Sequence, residues 1–348
     1  MNACADFASD NTAPAHDAVL QALQAHNHST LPAYGDDALT QEVAGKVSDI
    51  FETRASVLLV PTGTAANAIA IAAMMESFGM VLCHQYAHIQ VDECGAPEFF
   101  AGGVKTIALP GDHGKLSLEV LQDFFQTPWQ GVVHRSQPMV LSLTQLSESG
   151  TAYSLEETRG LCDFAHAHNM KVHMDGARFA NAMVGLGATP AAMSWQAGVD
   201  ILTFGATKNG TLGCEAIVAF DTPSTRRLPF LRKRTGHLLS KMRLLSAQIS
   251  GYLADDLWIK NATHANAMAK KLSEGLTACA DISLIHVVEG NQIFLTMPDA
   301  CAYYLRAGGF SFYDWPDAGK NARRLVCSWC TKEEDVTAMI AAAREVQP

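Results

Sequence analysis

KVHMDGARFANAMVGLGATPAAMSWQAGVDILTFGATKNGTLG, residues 171–213, decides how the chain is read. It holds two short apolar runs, 172–174 and 201–204, and each closes on charge. The first ends in Asp175, Gly176, Ala177 and Arg178; the second runs through Gly205, Ala206 and Thr207 to Lys208, Asn209 and Gly210. Enough residues lie between them for a helix. Strand, helix, strand is the repeating unit of a parallel sheet, and such sheets place ligands at the carboxyl ends of their strands. The stretch therefore predicts an acid and a lysine delivered to one rim.

Outward from it, the same grammar repeats. Apolar runs of strand length occur at 57–60, 80–83, 104–109 and 139–143. The first leads through Pro61, Thr62, Gly63 and Thr64 into a small-residue helix expected to reach Phe78. Ser117 can cap a helix over 118–125, and Ser154 with Glu157 forms a capping box that opens a helix to about Asn169. Thr40 can cap a helix whose apolar face is Val43, Val47, Ile50 and Phe51. Downstream, only 205–215 separates the run ending at Phe204 from the next, 216–220. A parallel crossover needs about a dozen residues or more, so that last strand should be reversed. The expectation is an α/β protein with a seven-stranded, mostly parallel sheet, six strands one way and one the other.

Residues 1–39 read as an irregular polar arm. A basic segment with Arg226, Arg227, Arg232, Lys233 and Arg234 leads into a long helix through Leu253. Strands at 284–288, 292–297 and 324–327, with helices before, between and after, then suggest a smaller α+β unit. The predicted division is a large domain over 1–250, arm included, and a small C-terminal domain over 251–348.

Of the 348 residues, 48% are apolar and 17% charged, the balance of a chain with a large buried core, and that length exceeds what one core sustains. The net charge of −10 disfavours nucleic acid and anionic membrane as partners. No run reaches the roughly 18–20 apolar residues of a membrane span, and MNACADFASDNT has no basic region followed by an apolar one. A cytoplasmic protein handling small molecules is expected. The nine cysteines (4, 83, 94, 162, 214, 279, 301, 327, 330) fall mostly in apolar patterns and read as reduced thiols. Cys327 and Cys330 form a single C-x-x-C without a second pair, so no metal site is expected.

The chemistry turns on Lys208. Asn209 and Gly210 after it are also a plain turn signal. A phosphate-binding loop of the Walker type is ruled out, since Thr211 stands after Gly205-x4-Gly210 where the lysine would be. With Asp175 at the same rim the pair fits pyridoxal phosphate, which needs a lysine link, a carboxylate for its ring nitrogen and an anion site. Gly63 and Thr64 at a helix start supply the last. Arg178 offers a planar fork for a carboxylate or phosphate. His88 follows the strand 80–83 at the same rim and can stack on a ring while carrying a proton.

The motifs ASDNT, YGDDALT, VPTGTAANAIA, AHIQVDECGA, HMDGARFANA and TFGATKNGTLG together resemble the low-specificity L-threonine aldolases. These are pyridoxal-phosphate enzymes of the aspartate-aminotransferase fold (fold type I). The resemblance implies that Lys208 holds the cofactor, Asp175 its ring nitrogen, Gly63 and Thr64 its phosphate, with His88 on the ring. It implies Ser9, Arg178 and Arg324 at the amino-acid carboxylate. It also implies a homo-oligomer, dimer or tetramer, with shared sites to which Tyr34, Arg234 and Lys241 belong. The reaction implied is retro-aldol cleavage of L-threonine or L-allo-threonine to glycine and acetaldehyde. A phenylserine aldolase, a β-eliminating amino-acid lyase and a nucleotide-binding α/β protein are the alternatives. One element departs from the pattern: many members carry Asn-Thr-His-Asn after the strand 139–143, where this chain has Thr144, Gln145, Leu146, Ser147, Glu148, Ser149 and Gly150.

Overall fold

A single mixed sheet organises the computed structural model, which describes residues 5–220 and 222–346; Cys4 lies outside them. Its strands run in the order Ser56–Val60, Glu215–Ala219, Ile201–Gly205, Lys171–Gly176, Gln137–Thr144, Gly79–His84 and Lys105–Leu109. Six share one direction. Glu215–Ala219 pairs antiparallel with both neighbours, because the short connection from Gly205 cannot cross over the sheet. Gly79–His84 and Ile201–Gly205 are buried at every position, as strands covered by helices on both faces must be.

The helix Gly63–Met74 is built from Ala and Ile and is buried from Ala65 to Ala73, so it has no solvent face to mark its end. It stops at Met74 rather than Phe78. Met75 is extended, and a turn closed by Gly79 N–H on the Glu76 carbonyl feeds the next strand. The capping box of Ser154 and Glu157 opens Leu155–Ala167 as expected, and Ser117 caps Leu118–Phe125. For Ala38–Ile50 the cap is Asp37, not Thr40. Asp37 Oδ1 accepts from Thr40 N–H at 2.9 Å, and the Thr40 hydroxyl donates to Asp37 Oδ2.

Three other expectations are corrected. The arm is not wholly irregular: Asp17–His26 is a helix, with Val19 buried. The basic segment does not run into one long helix; Leu228–Arg234 and Arg243–Leu253 are separate, with Gly236 left-handed between them at φ +84°. The strand over 284–288 shrinks to Ser283–Leu284.

The C-terminal part is an antiparallel sheet in the order Tyr313–Asp314, Ala322–Val326, Gln292–Thr296 and Ser283–Leu284. Helices Leu257–Thr277, Asp299–Ala307 and Glu333–Glu345 accompany it. Its core gathers Leu272, Leu295, Leu325 and Met339, and the arm supplies Phe7 to the same cluster. Ala5–Asp6 pairs in parallel with Phe310–Ser311 beside it. Six of the described cysteines are buried, Cys94 is exposed, Cys330 is half-buried, and all are free thiols. No helix among the described residues is long and apolar enough to cross a membrane.

The arm helix Asp17–His26 lies on Arg243–Leu253, and Gly251 sets how closely. A Cβ there would meet the Ala18 carbonyl oxygen and Ala22 Cβ at 2.9 Å and Val19 Cα at 3.1 Å. Gly251→Val therefore pushes the arm helix outward and lowers stability by about 1–3 kcal/mol, the usual cost of overpacking. Faster chymotryptic cleavage within the arm, which holds Leu20 and Leu23 but no lysine or arginine, together with a lower thermal midpoint, is the expected reading.

Candidate active site

The carboxyl ends of the parallel strands open on a cleft of about 370 Å³. Thr62, Gly63, Thr64, Asn67, His88, Asp175, Thr207, Lys208 and Glu215 line it. The strand Ser56–Val60 delivers the first of these. Thr62 Oγ1 accepts from Ala65 N–H at 3.1 Å and caps the helix Gly63–Met74. The opening N–H groups of a helix have no acceptor of their own and attract anions. A Cβ on Gly63 would meet nothing within 4 Å, so the backbone there faces open cleft.

Lys208 sits in a short 3-10 turn, Thr207–Asn209, directly after Ile201–Gly205. The turn is anchored from below, unlike a loose hairpin. Buried Asn209 donates to the Tyr252 hydroxyl and the Trp258 carbonyl, both at 2.8 Å. Gly210 closes it at φ +122°, and its carbonyl accepts from His16 N–H of the arm.

Asp175 ends the strand Lys171–Gly176 and is 3% exposed. Both of its oxygens are held: Oδ1 by Ala177 N–H at 3.0 Å, Oδ2 by the Asn67 amide at 2.8 Å. The same Asn67 Nδ2 donates to Glu93 Oε1 at 2.8 Å, and that oxygen also meets His88 Nδ1 at 2.8 Å. His88, Glu93 and Asp175 thus bring ligand-type atoms within 4.8 Å of one another, with the amide hydrogens of Asn67 between the two carboxylates. The Glu93 hydrogen bond raises the His88 pKa above its ordinary value against burial, with Asp175 and Glu148 adding to it. Burial raises Glu93, and Asp175 adds like-charge repulsion.

Asn67 and Glu93 carried no role in the sequence reading. The signal for Asn67 was its standing as the sole polar residue of an otherwise apolar run, 65–74. Glu93 had none, because nothing in its neighbourhood marks it as buried.

Arg178 is turned inward onto Asp10. Its Nε and Nη2 fork onto Asp10 at 2.7 and 2.8 Å, and both residues are buried. Burial pushes the Asp10 carboxyl up, but Arg178, then Lys208, and hydrogen bonds from Arg178 and Asn291 hold it at about 2. Ser9 Oγ caps the adjoining turn Asp10–Thr12 by accepting from Asn11 N–H at 3.2 Å, and Asn11 reaches the cleft. Arg324, from the strand Ala322–Val326, lies over the Trp315 ring at 5.2 Å, and its charge acts on that of Arg178. Tyr34, Arg234 and Lys241 are exposed and do not line the cleft of their own chain. Tyr34 lies under Lys233 Nζ at 5.1 Å, and its backbone N–H donates to the Ser240 carbonyl.

Where the family's histidine element would stand, the chain is a buried polar turn. Gln145 exchanges hydrogen bonds with the Tyr153 backbone, and Ser147 Oγ meets Thr151 Oγ1 at 2.8 Å. Ser147 also donates to the His113 carbonyl, and His113 Nδ1 lies 3.0 Å from His286 Nδ1. These imidazoles, with Tyr86, Glu148 and Trp315, border a second cleft of about 390 Å³.

Residues 6–300 match the family model described as beta-eliminating lyase. The chain belongs to that family. It is 39% identical to the low specificity L-threonine aldolase of Pseudomonas aeruginosa over 95% of this chain and 94% of the relative. Among solved structures, a threonine aldolase of Leishmania major superposes with a TM-score of 0.91 at 26% identity, covering 98% and 99% of the two chains. A methionine aminotransferase of Escherichia coli shares the fold alone, at a TM-score of 0.75 and 13% identity over 99% and 94%. The architecture is that of fold type I, the aspartate-aminotransferase-like class.

The cofactor of this family is pyridoxal phosphate, and the cleft suits it. It offers an amine, a fixed carboxylate and a helix start within one space, and Asn67 Oδ1 and Glu93 Oε2 remain buried there without a hydrogen-bond partner.

Two measurements check these interactions. Asp10→Ala strands the Arg178 charge in the interior and costs about 3–5 kcal/mol, read as a lower denaturant midpoint. In the intact protein the ionised Asp10 contributes fully above 3.8 and its contribution is lost as pH falls through about 2. Glu93→Gln leaves an amide oxygen at His88 Nδ1 but removes the carboxylate charge that favours the imidazolium, so the imidazole should titrate at lower pH than in wild type, followed by its nitrogen chemical shifts.

Proposed function

We propose that the protein is a carbon–carbon lyase that cleaves L-threonine or L-allo-threonine to glycine and acetaldehyde, with Lys208, Asp175 and His88 as its catalytic residues. The observation that carries this reading is the convergence of Lys208, the Asp175 carboxylate and the helix start at Gly63 and Thr64 on one cleft. Its identity to a threonine aldolase over nearly the whole chain supports the choice of reaction.

Bound pyridoxal phosphate supplies an electron sink for the pair left on Cα when the Cα–Cβ bond breaks. Everything else falls to the chain. Lys208 provides the amine for covalent attachment. Asp175, held at both oxygens, keeps a proton on the ring nitrogen. Gly63 and Thr64 take the phosphate through backbone N–H groups. Arg324, with Ser9 and Arg178, holds the amino-acid carboxylate; Arg178, with its fork spent on Asp10, acts chiefly by its charge and by fixing the arm.

His88 is the base for the β-hydroxyl. Glu93 accepts at Nδ1, which leaves Nε2 as the nitrogen that takes the proton in the neutral ring. The departure at Ser147 then removes one auxiliary group and leaves the proton route through His88 intact.

The same reading includes a large domain over 1–250, a small one over 251–348, a cytoplasmic location and a homo-oligomer, tetrameric or dimeric. In it Tyr34, Arg234 and Lys241 face a neighbouring subunit's cleft.

Lys208→Ala should lose the visible absorption of lysine-linked pyridoxal and at least about a thousandfold in turnover. Wild type given L-threonine should release acetaldehyde and glycine in equal amounts. Ammonia and a keto acid in their place would mark a β-eliminating lyase, and normal turnover by Lys208→Ala would overturn the assignment of the lysine.

A further inference from the structure

Glu215 stands where an anion site has no ordinary use for a carboxylate. Its strand lies between Ser56–Val60 and Ile201–Gly205, and in the register Glu215 faces Val60 on one side and Gly205 on the other. Val60 leads into Thr62, Gly63 and Thr64, and Gly205 leads into Lys208. Glu215 is therefore seated between the anion loop and the lysine, one strand spacing, about 4.8 Å, from each parent strand. Its side chain lines the same cleft and is 6% exposed as a residue.

The carboxyl is held in place. Oε2 accepts from Ala206 N–H at 2.8 Å, and the Thr207 side chain bonds it too. Burial pushes it up to about 7; Thr207, Ala206 and Lys208 pull the other way, and Asp175 adds to the rise. Cys214 and Tyr252, the remaining ionisable neighbours, are driven by burial further from ionisation, so neither brings it a charge. The cation acting on it is Lys208 alone among these groups. A phosphate dianion arriving at the neighbouring loop adds negative charge in a site poorly screened by water, which favours the neutral acid.

We propose that Glu215 is the proton carrier of the phosphate site: it takes up one proton from solvent as a phosphate monoester dianion enters the loop of Thr62, Gly63 and Thr64, so that cofactor capture is proton-coupled. This rests on the reading of that loop as the phosphate site. The direction follows from linkage. At low pH Glu215 is neutral with or without the anion, and no proton moves. At higher pH the free protein holds a carboxylate that must be neutralised on binding, so affinity falls as pH rises. A purely structural glutamate, tying Ala206 and Thr207 to the sheet, predicts no such slope.

The test compares wild type with Glu215→Gln, which keeps an oxygen for the Ala206 N–H and cannot ionise. Each protein, stripped of cofactor, is titrated with pyridoxal phosphate and with pyridoxal between about pH 6 and 9, spanning the ionisation. Wild-type affinity for pyridoxal phosphate, relative to the variant, should fall by up to about tenfold per pH unit above neutrality. With pyridoxal, which lacks the phosphate, the two proteins should run nearly parallel. Identical slopes with pyridoxal phosphate overturn the proposal. A wild type that binds both ligands equally at every pH overturns the phosphate-site reading instead. Wild type alone gives an independent answer should the variant fold poorly. Calorimetry in two buffers of different protonation enthalpy at about pH 8 should count about one more proton taken up with pyridoxal phosphate than with pyridoxal; no difference overturns the proposal.

Discussion

The ion pair of Asp10 and Arg178 is the constraint on which the rest of the molecule depends. Two buried charges are tolerable only when paired and further hydrogen-bonded, and neither partner can be withdrawn cheaply. Here the anion comes from the N-terminal arm and the cation from the end of a central strand, while Asn291 of the C-terminal part donates to Asp10 Oδ2 at 3.0 Å. That same Asn291 also reaches the Cys327 carbonyl. Three segments far apart in sequence are thereby fixed to one carboxylate. The arm's other contacts follow from it: Ser9 and Asn11 beside the cleft, and His16 on the turn that carries Lys208.

The second organising feature is the reversed strand. Inserted between the strand that carries the anion loop and the strand that carries the lysine, it sets their separation at two strand spacings, about 10 Å. Both emerge at the same rim because both run antiparallel to it. The loop and the amine are thus held by sheet hydrogen bonds and not by their own flexible connections. That is the rigidity a site needs when a cofactor must be gripped at two ends. The network under Asp175 serves a similar end. Asn67 shares its amide hydrogens between two carboxylates, so that Asp175, Glu93 and His88 stay close together.

The sheet was legible because its strands are apolar on both faces and bounded by Gly, Pro and Asp. The seven runs needed only end corrections, and the short connection at 205–215 predicted the reversal. The misreadings share a cause. Thr40 and Asp37 both carry capping oxygens, and only the backbone geometry chose Asp37. The arm helix Asp17–His26 has one buried apolar residue, so its order comes from packing at Gly251 rather than from a pattern of its own. In the long basic segment, Gly236 at positive φ ended a helix that composition alone would have continued.

By itself the sequence determined the class of fold, the rim where chemistry is placed, and the pairing of Lys208 with Asp175, since periodicity and residue type are local properties. Tertiary structure alone decided which charged groups are buried and what each one faces. Arg178 read as a free fork and is spent on Asp10. Glu93 carried no role in the sequence and is buried beside His88. Glu215 fell in the connection before the strand at 216–220, and it stands between the anion loop and the lysine. Burial and charge proximity arise between residues distant in sequence, and they set both the pKa values and the partners on which the chemistry turns.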